Sequence, residues 1–297
     1  MNVLVTGSHG LIGSALTTAL ETGGHSVRRL IRSAPAGESE FRWDPDAGRL
    51  DPAALEGLDG VVHLSGETVA GRWTSSKKKR ILESRVKSTM HLSEALARLE
   101  RPPSVLVSAS AVGYYGDRGD ELLTESSTPG SGFLADVVKQ WEAASEPAER
   151  AGIRVVRTRF GIVLSSVGGA LKTMLPLFRL GLGGKLGSGR QYMSWIAIDD
   201  VAGAIGQALA DESLSGPVNT VAPNPVTNEE FTRTLGRVLH RPTVFAVPSI
   251  ALRLALGEFA TESALGGARV VPAKLSAAGY EFRHQQLEQA LRHVLGR

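Results

Sequence analysis

The sequence predicts an α/β protein with a doubly wound parallel sheet and a smaller, mainly helical C-terminal lobe. Three observations support this prediction. The chain opens on an apolar segment, residues 1–6, that leads through a glycine-rich turn into an apolar helical pattern. Short β-branched segments then alternate with helical patterns up to about residue 165, as is typical of parallel sheets. Beyond that point, glycine-rich and helical patterns predominate.

The opening turn has the character of a phosphate-binding loop. Gly7, Gly10 and Gly13 form a G-x-x-G-x-x-G pattern, a variant of the G-x-G-x-x-G spacing of dinucleotide-binding folds. A backbone without Cβ atoms can approach a diphosphate closely, and the N-terminus of the following helix attracts its charge. Leu11 and Ile12 open that helix, and Gly13 would let it press against the sheet. We expect these five residues to bind a dinucleotide.

The end of the second strand distinguishes between NAD and NADP. The strand pattern of residues 25–32 ends at Arg32 and Ser33, and no acidic residue follows before Glu38. An acidic residue here would bind the ribose 2′-hydroxyl of NAD, whereas a cation accommodates the 2′-phosphate of NADP. We therefore expect NADP, with Arg32 on the phosphate and Ser33 as a hydroxyl donor.

Two further elements border the expected dinucleotide site. A short third strand is predicted at residues 41–43, and a fourth begins at residue 59 and ends beside the first. His63, inside the apolar run of the fourth strand, is interpreted as a hydrogen-bonded core histidine. A long helix is predicted over residues 73–99, in which the basic run 77–80 faces solvent and Arg85 reaches the cofactor. The end of the fourth strand supplies further cofactor-binding candidates, which are Leu64, Ser65, Gly66 and Glu67.

A serine-rich segment, residues 104–117, is the second place where the sequence indicates a site. A buried strand there carries hydroxyls to the carboxyl edge of the sheet, where open α/β folds bind ligands. Ser108 is expected at the cofactor, and Ser110 at a substrate oxygen near the nicotinamide. A helix over residues 133–151 and a strand over residues 153–164 are predicted to follow.

The segment from residue 168 to residue 190 is rich in glycine and carries cationic side chains. It is expected to enclose an anionic or sugar-like substrate, with a mobile surface loop as the alternative interpretation. The substrate-binding candidates in and beside it are Gly169, Lys185, Arg190, Gln191 and Trp195.

The remainder of the chain predicts capped and proline-bounded helices. Asp199 and Asp200 are interpreted as the N-cap and dipole-matching acid of a helix over residues 201–210. Thr227 is expected to cap the next helix, and Pro248 and Pro272 to break the helices that follow. We predict a dinucleotide-binding domain of residues 1–165 plus about 192–222, and a substrate lobe of about 166–191 plus 223–297.

Composition excludes several classes of protein. The chain has no cysteine, and its seven histidines show no metal-ligand spacing, so no metal site is expected. The formal net charge of +3 is spread along the chain, which favours anionic small ligands over nucleic acid. No apolar run is long enough to span a membrane and the start does not resemble a secretory leader, so a cytoplasmic protein is expected.

The chain resembles the extended short-chain dehydrogenase/reductase superfamily, which contains NAD-dependent epimerases and dehydratases. The matching segments span nearly the whole length and are 6–13 (TGSHGLIG), 63–67 (HLSGE), 108–112 (SASAV), 159–161 (RFG) and 198–201 (IDDV). A closer similarity is to the subfamily called epimerase family proteins, which has its own C-terminal domain. That similarity is carried by 84–85 (SR), 113–116 (GYYG), 141–142 (WE), 178–184 (FRLGLGG), 187–189 (GSG), 195–196 (WI), 222–223 (AP), 227–228 (TN) and 272–275 (PAKL).

The resemblance implies a Rossmann-like sheet, bound NADP(H) and a poorly defined small-molecule substrate, either similar to a nucleotide sugar or a small carbonyl or hydroxyl compound. It also implies a Tyr-x-x-x-Lys pair on the helix after the fifth strand, in which a lysine lowers the pKa of a tyrosine that exchanges a proton. This pair is absent. Phe133 and Leu134 stand where the tyrosine is expected, and Ala135 lies four residues before Lys139. Ser110 matches the superfamily's substrate-orienting serine.

Two functions remain open from the sequence. The protein is either an NADP-dependent oxidoreductase or epimerase whose acid/base group is displaced, or a catalytically silent NADP(H)-binding module for regulation or interaction. In the first case Tyr114, Tyr115 or a carboxylate such as Glu125 would replace the missing tyrosine. By analogy with the superfamily, a monomer or a homodimer is expected.

Overall fold

The strands form one large sheet and four small ones in a computed structural model that describes residues 1–297. In chain order they are β1 (Asn2–Thr6), β2 (Ser26–Ile31), β3 (Glu40–Asp44), β4 (Arg49–Leu50), β5 (Gly60–His63), β6 (Val105–Ala111), β7 (Leu122–Leu123), β8 (Arg154–Phe160), β9 (Ile162–Leu164), β10 (Gly184–Leu186), β11 (Tyr192–Met193), β12 (Trp195–Ala197), β13 (Gly216–Thr220), β14 (Val226–Thr227), β15 (Phe245–Val247) and β16 (Arg269–Val270).

Ten α-helices accompany these strands. They are α1 (Leu11–Thr22), α2 (Ser75–Ala97), α3 (Phe133–Ala143), α4 (Glu146–Arg150), α5 (Gly169–Arg179), α6 (Ile198–Ala210), α7 (Asn228–Leu239), α8 (Ser249–Leu256), α9 (Ala273–Ala277) and α10 (Leu287–Leu295). Short 3₁₀ turns cover Pro52–Leu55 and Val112–Tyr115, and a π-helical turn covers Ala260–Ala264. None of these helices is both long and apolar enough to cross a membrane.

The large sheet has the predicted doubly wound topology. Its strand order is β13-β8-β6-β5-β1-β2-β3-β4, and every pair is parallel except β3 with β4. The chain builds outward from β1 in one direction through β2 and β3, and then in the other through β5, β6, β8 and β13. Thr6 and His63 are register partners at the ends of β1 and β5, so the switch in direction falls between these strands. Ligands of open α/β folds bind at such a point.

Alternation along β1 fills two cores, one on each face of the sheet. Val3 and Val5 pack in the core that contains Leu16 of α1 and Ile205 of α6. Leu4 points the other way, into the core that contains Leu92 of α2. A third core holds together the glycine-rich segment and the C-terminal helices, and its largest members are Trp195, Phe231, Phe178, Leu171 and Leu291. The first helix is thereby fixed against the sheet, with its N-terminus at the end of β1.

Two predicted elements are each divided in the structure. The helix of residues 133–151 breaks between α3 and α4, because Pro147 has no amide to continue the hydrogen-bond ladder. The strand of residues 153–164 divides at Gly161 into β8, in the large sheet, and β9, which pairs with β12. A Cβ on Gly161 would lie 2.3 Å from the carbonyl oxygen of Ser194, so glycine permits this close crossing.

The interpretation of Asp199 and Asp200 is confirmed for the acids that match the helix dipole and wrong for the N-cap. The N-cap of α6 is Ala197, and both aspartates lie in its first turn. Asp200 is fully buried, and its carboxylate accepts hydrogen bonds from the amides of Arg283 and His284, at 2.7 and 3.1 Å. It therefore fixes a C-terminal segment to the first turn of α6.

The other boundary predictions are confirmed. The hydroxyl of Thr227 accepts a hydrogen bond from the amide of Glu230 and caps α7. Helix α8 begins immediately after Pro248, and α9 begins immediately after Pro272. Each proline precedes the first turn of a helix, where a missing amide and a fixed φ are tolerated, and each follows a short strand, β15 or β16.

Candidate functional site

A cleft of about 840 Å³ lies at the carboxyl ends of the strands on both sides of the switch point. Gly7 and Gly10 contribute to its wall from the turn after β1, and Arg32 and Ser33 from the end of β2. Residues 64–67, which follow β5, complete this part of the wall. The structure thus brings together eight of the residues expected to bind the cofactor, although they come from three separate parts of the chain.

The glycine-rich turn leaves no room for side chains at two of its three glycines. Gly7 has a φ of +68°, and a Cβ there would lie 2.9 Å from the carbonyl carbon and oxygen of Leu64. A Cβ on Gly13 would lie 2.2 Å from the carbonyl oxygen of Gly7, because α1 packs directly against the turn. Leu11 and Ile12 follow in the first turn of α1, so its unpaired amides begin at the cleft. A diphosphate fits such a backbone cradle.

Two buried polar atoms in the cleft wall have no hydrogen-bond partner within the chain. They are the Oγ of Ser8 and the Nε1 of Trp43. Ser8 and Trp43 are 4% and 2% exposed, so neither side chain is bathed by bulk water. Unpaired buried polar groups are costly and uncommon, and here both belong to residues that line the cleft. The residues present therefore fit a dinucleotide.

The cationic wall of the cleft is broader than the sequence predicts. Arg80 and Lys87 of α2 line the cleft together with Arg32. The expectation that the basic run 77–80 faces solvent is wrong for Lys77 and Lys78, whereas Lys79 and Arg80 are exposed. Lys77 binds the carboxylate of Glu67 at 2.6 Å, Lys78 pairs with Glu258 at 2.5 Å, and Arg80 lines the cleft. The helical spacing of these residues was visible in the sequence, but their partners were not.

Arg85 supports the loop after β5 rather than lining the cleft. Its guanidinium donates hydrogen bonds to the carbonyls of Glu67 and Ile81, at 2.9 and 3.1 Å, and lies 5.0 Å from the centre of the Trp141 ring. A Cβ on Gly66 would come within 3.3 Å of it. Burial lowers the pKa of Arg85 to about 10, so it remains charged at neutral pH. In this conformation Arg85 shapes the cofactor loop from behind.

His63 is a hydrogen-bonded core histidine, as predicted. Thr6 Oγ1 accepts hydrogen bonds from the amide of Leu64 and the hydroxyl of Ser65, so its own hydrogen is directed to His63 Nδ1 at 2.7 Å. On the other side of the ring, Nε2 lies 3.3 Å from the hydroxyl of Ser88. This network assigns the neutral tautomer with hydrogen on Nε2. Burial lowers the pKa of His63 to about 3.

The neutral state of His63 predicts a loss of stability in acid. Its folded-state pKa of about 3 lies below the value of about 6.5 in the unfolded chain, so the unfolded state binds more protons between these values. Stability is therefore expected to fall by about 2 kcal/mol from pH 7 to pH 5 on account of this residue. Urea unfolding at the two pH values measures the loss. His63→Gln should remove most of it and His25→Gln should not; equal pH dependence in all three proteins would contradict the assignment.

Ser110 belongs to a buried ionic network. Its hydroxyl donates to Glu142 Oε1 at 2.5 Å, and Arg159 binds both oxygens of Glu142 at 2.7 Å. The Arg159 and Glu142 side chains are 2% and 12% exposed. Burial opposes the charge on Arg159, but its hydrogen bonds and attraction to Glu142 outweigh that effect and raise its pKa. In this conformation Ser110 is engaged with Glu142, a partner that sequence spacing did not suggest.

Tyr114 and Tyr115 have different environments. Tyr115 is fully buried and its hydroxyl donates to Asn219 Oδ1 at 2.7 Å, while burial raises its pKa and keeps it protonated. The ring of Tyr114 is partly exposed and lies 3.5 Å from the guanidinium carbon of Arg159. Glu125 is 8% exposed, and its Oε1 accepts hydrogen bonds from the amides of Asn219 and Lys274. Among these three candidates, Tyr114 has the most accessible side chain.

Ser108 is the middle residue of β6, and its side chain is buried. Its carbonyl accepts a hydrogen bond from the hydroxyl of Thr158 on the neighbouring β8. Ser108 therefore lies in the interior of the sheet and does not line the cleft.

The residues predicted to bind substrate form two groups: three that are at least partly exposed, and two whose side chains bond within the protein. Gly169 lies beside Leu11 at the glycine-rich turn, since a Cβ there would be 3.3 Å from Leu11 Cδ2. Arg190 is exposed, and Lys185 lies 3.3 Å from Glu229. The other two residues make contacts within the protein: Gln191 Nε2 donates to the carbonyls of Leu186 and Ala264, and the fully buried Trp195 donates to the carbonyl of Asn224.

A C-terminal segment covers the position where the superfamily's tyrosine is expected. Both oxygens of Glu262 accept hydrogen bonds from the first amides of α3, those of Phe133 and Leu134, at 2.9 and 2.8 Å. The Phe259 ring packs edge-on against Trp73, with 5.6 Å between centroids, and Trp73 in turn contacts Phe133. Glu262 could not be found from the sequence, because no local pattern links it to a helix that begins 129 residues earlier.

The doubly wound sheet and the glycine-lined cleft at its switch point define a dinucleotide-binding protein of the Rossmann type. Residues 3–221 match the model of the NAD dependent epimerase/dehydratase family, and residues 247–294 match a domain of unknown function, DUF1731. The chain belongs to the NAD dependent epimerase/dehydratase family. It is an NAD(P)-binding epimerase family protein, in agreement with the resemblance derived from its motifs.

Relatives match over essentially the full length of the chain. An epimerase family protein of Mycobacterium bovis is 47% identical over 99% of this chain and 98% of its own. The crystal structure of human epimerase family protein SDR39U1 (isoform2) with NADPH has 34% identity and a TM-score of 0.92, with all of both chains covered. A nucleoside-diphosphate sugar epimerase from Corynebacterium glutamicum has 41% identity and a TM-score of 0.82, over 100% of this chain and 58% of that one.

Proposed function

We propose that this protein is an NADP(H)-dependent oxidoreductase or epimerase that acts on a nucleotide-sugar-like or small carbonyl or hydroxyl substrate. The observation that carries the proposal is one cleft in which a side-chain-free turn, Gly7 to Gly10, shares a wall with Arg32 and Ser33. The turn suits a diphosphate, and the cation at the end of β2 suits a ribose that bears a 2′-phosphate.

Different residues of the cleft would bind different parts of the cofactor. The backbone of the turn and the start of α1 would hold the diphosphate. Residues 64–67 would contact the diphosphate and the adenosine ribose. Arg32 and Ser33 would bind the 2′-phosphate, with Arg80 close enough in the same wall to add positive charge. When bound, NADP(H) supplies the hydride-transfer chemistry. The human relative solved with NADPH supports this cofactor.

Proton transfer requires a group other than the superfamily tyrosine. Phe133 occupies the start of α3, and Val137, four residues later, is buried against Trp73. Tyr114 is our candidate, because it is partly exposed and its ring lies against the Arg159 guanidinium. Ser110 would then orient substrate only after its hydroxyl leaves Glu142.

The nucleotide-sugar class of substrate rests on the relative from Corynebacterium glutamicum, which is described as a nucleoside-diphosphate sugar epimerase. Gly169, at the glycine-rich turn, and the exposed Arg190 are the candidates for contact with such a substrate. The alternative, a silent NADP(H)-binding module, is favoured by two observations: Ser110 is held by Glu142, and a phenylalanine occupies the tyrosine position.

Removal of Arg32 tests the cofactor assignment. Arg32→Ala is expected to weaken NADPH binding by about 10- to 150-fold, because a charge-assisted hydrogen bond contributes about 1.5–3 kcal/mol. The NADH affinity should stay the same, since NADH has no 2′-phosphate. Isothermal titration calorimetry measures both. Arg29→Ala is the matched control, because Arg29 lies on the same strand but pairs with Glu21 at 2.7 Å. An unchanged preference for NADPH in Arg32→Ala would exclude this role.

Deuterium transfer tests whether the protein is an enzyme. The protein is loaded with NADPH deuterated at C4, in either stereochemistry, and mixed with a panel of keto nucleotide sugars and small carbonyl compounds in single turnover. Deuterium found in a product by mass spectrometry supports the enzyme, and Tyr114→Phe should then slow the transfer by about 100-fold or more. Ser110→Ala should also slow it. Tight NADPH binding without transfer to any compound would favour the silent module.

A further inference from the structure

A cluster of three metal-ligating side chains lies outside the cofactor cleft. It consists of Asp199, in the first turn of α6, His284, in the segment before α10, and His293, near the end of α10. Each offers one ligand atom, and the three atoms lie within 4.8 Å of one another. No local pattern indicates this cluster, because its members are separated by 85 and 9 positions and match no zinc-motif spacing.

We propose that Asp199, His284 and His293 form a binding site for a divalent transition-metal ion of the zinc class. Two imidazoles and one carboxylate form a common donor set for Zn²⁺, and a water would occupy the fourth position. Ligand atoms that share one tetrahedral zinc, each at about 2.0–2.1 Å, are about 3.3 Å apart. His293 Nε2 and Asp199 Oδ2 are already 2.7 Å apart, so the remaining adjustment falls mainly on His284.

The backbones of all three ligands are held in place. The amide of His284 donates to the buried carboxylate of Asp200, the neighbour of Asp199, so these two ligands are linked through Asp200. Helix α10 is anchored by Leu287 and Leu291, which pack in the third core. Ligands on fixed elements lose little freedom when they bind a metal, which favours affinity.

The side chains themselves are poised around one point. The two imidazole rings are stacked, with 4.4 Å between their centroids and 30° between their planes, and the Asp199 carboxylate lies beside them. A single histidine would be enough for an ion pair with Asp199. The second imidazole has a ligand atom within 4.8 Å of the same carboxylate, and an ion pair alone gives it no role. His293 is about half exposed, so it can turn and an ion can enter from solvent.

A metal here would join α6, the 283–284 segment and α10. The cofactor cleft contains none of the three ligands, so the ion would act on structure and not on hydride transfer. It would reinforce the attachment that Asp200 already provides between the C-terminal chain and α6. We expect metal binding to raise the thermal stability of the full chain, because an ion that binds only the folded state shifts unfolding by mass action.

Calorimetric titration of the metal-free full chain with ZnCl₂ tests the site. We expect one Zn²⁺ per chain, and we expect His293→Ala, His284→Ala and Asp199→Asn each to weaken binding by more than about 100-fold. Loss of an outer-shell partner alone costs about 10- to 100-fold. His240→Asn is the control, because it removes an exposed histidine elsewhere and asparagine tolerates its left-handed φ of 54°.

Thermal unfolding gives a second readout. Zn²⁺ should raise the Tm of the wild type and of His240→Asn, a chelator should reverse the rise, and the exposed-site variant His293→Ala should show none. The proposal is overturned if the wild type binds less than one Zn²⁺, or if His293→Ala binds it as tightly as the wild type. In that case the cluster is an ion pair between His293 and Asp199 with a stacked neighbour.

Discussion

Glu142→Ala is expected to destabilise the protein by about 3–5 kcal/mol. The substitution leaves the Arg159 guanidinium buried without its carboxylate, although Arg159 Nη1 would keep its 2.9 Å contact with the Tyr115 hydroxyl. It also leaves the Ser110 hydroxyl without its acceptor. A buried charge that loses its partner retains its desolvation cost, which is much larger than the value of an exposed ion pair.

Urea denaturation at neutral pH measures this loss. Glu146→Ala is the matched control, because Glu146 is in the following helix and pairs with Arg150, whose side chain is 75% exposed. That variant should lose no more than about 1 kcal/mol. The double variant Glu142→Ala/Arg159→Met should recover part of the stability, because it removes the unpaired charge. Equal losses in Glu142→Ala and Glu146→Ala would show that the network contributes little.

Gly7→Ala is expected to weaken NADPH binding by about 100-fold and to destabilise the fold. The new Cβ would lie 2.9 Å from the backbone of Leu64, and alanine would have to adopt a φ of +68°. The turn must shift to relieve the clash, and its amides then lose their alignment with the diphosphate. Each charge-assisted hydrogen bond that is lost costs about 1.5–3 kcal/mol, so the loss of one or two of them weakens binding by about 100-fold. Both the amides of the turn and the contacts of residues 64–67 depend on the position of this turn.

The control separates backbone strain from the steric clash. Gly24 has a φ of +78°, but a Cβ there meets nothing within 4 Å. Gly24→Ala should therefore cost about 1–2 kcal/mol of stability through the left-handed backbone alone, with no effect on NADPH affinity. Calorimetry with NADPH and urea denaturation give the two quantities. If Gly7→Ala binds NADPH as well as Gly24→Ala does, the turn is not the diphosphate cradle.

The sheet and much of the cofactor cleft could be predicted because both follow from local patterns. A strand, a glycine turn and the start of a helix occupy the first thirteen residues, and parallel neighbours necessarily place their carboxyl ends at one edge. Arg32 therefore had to lie near Gly7 once β2 was paired with β1. Pro147 is visible in the sequence, but the continuous helical pattern on both sides of it concealed the break between the two helices.

The doubly wound fold, the glycine-rich turn and the cation that follows β2 could all be predicted from local sequence, since apolar periodicity and turn chemistry act over a few residues. The tertiary structure alone decided the partners of the polar side chains. It joined Glu262 to α3, Asp200 to the 283–284 amides and Ser110 to Glu142, and it buried Trp195. The physical reason is that a buried polar group must find a partner wherever the fold brings one, and a partner many residues away leaves no periodic trace in the sequence.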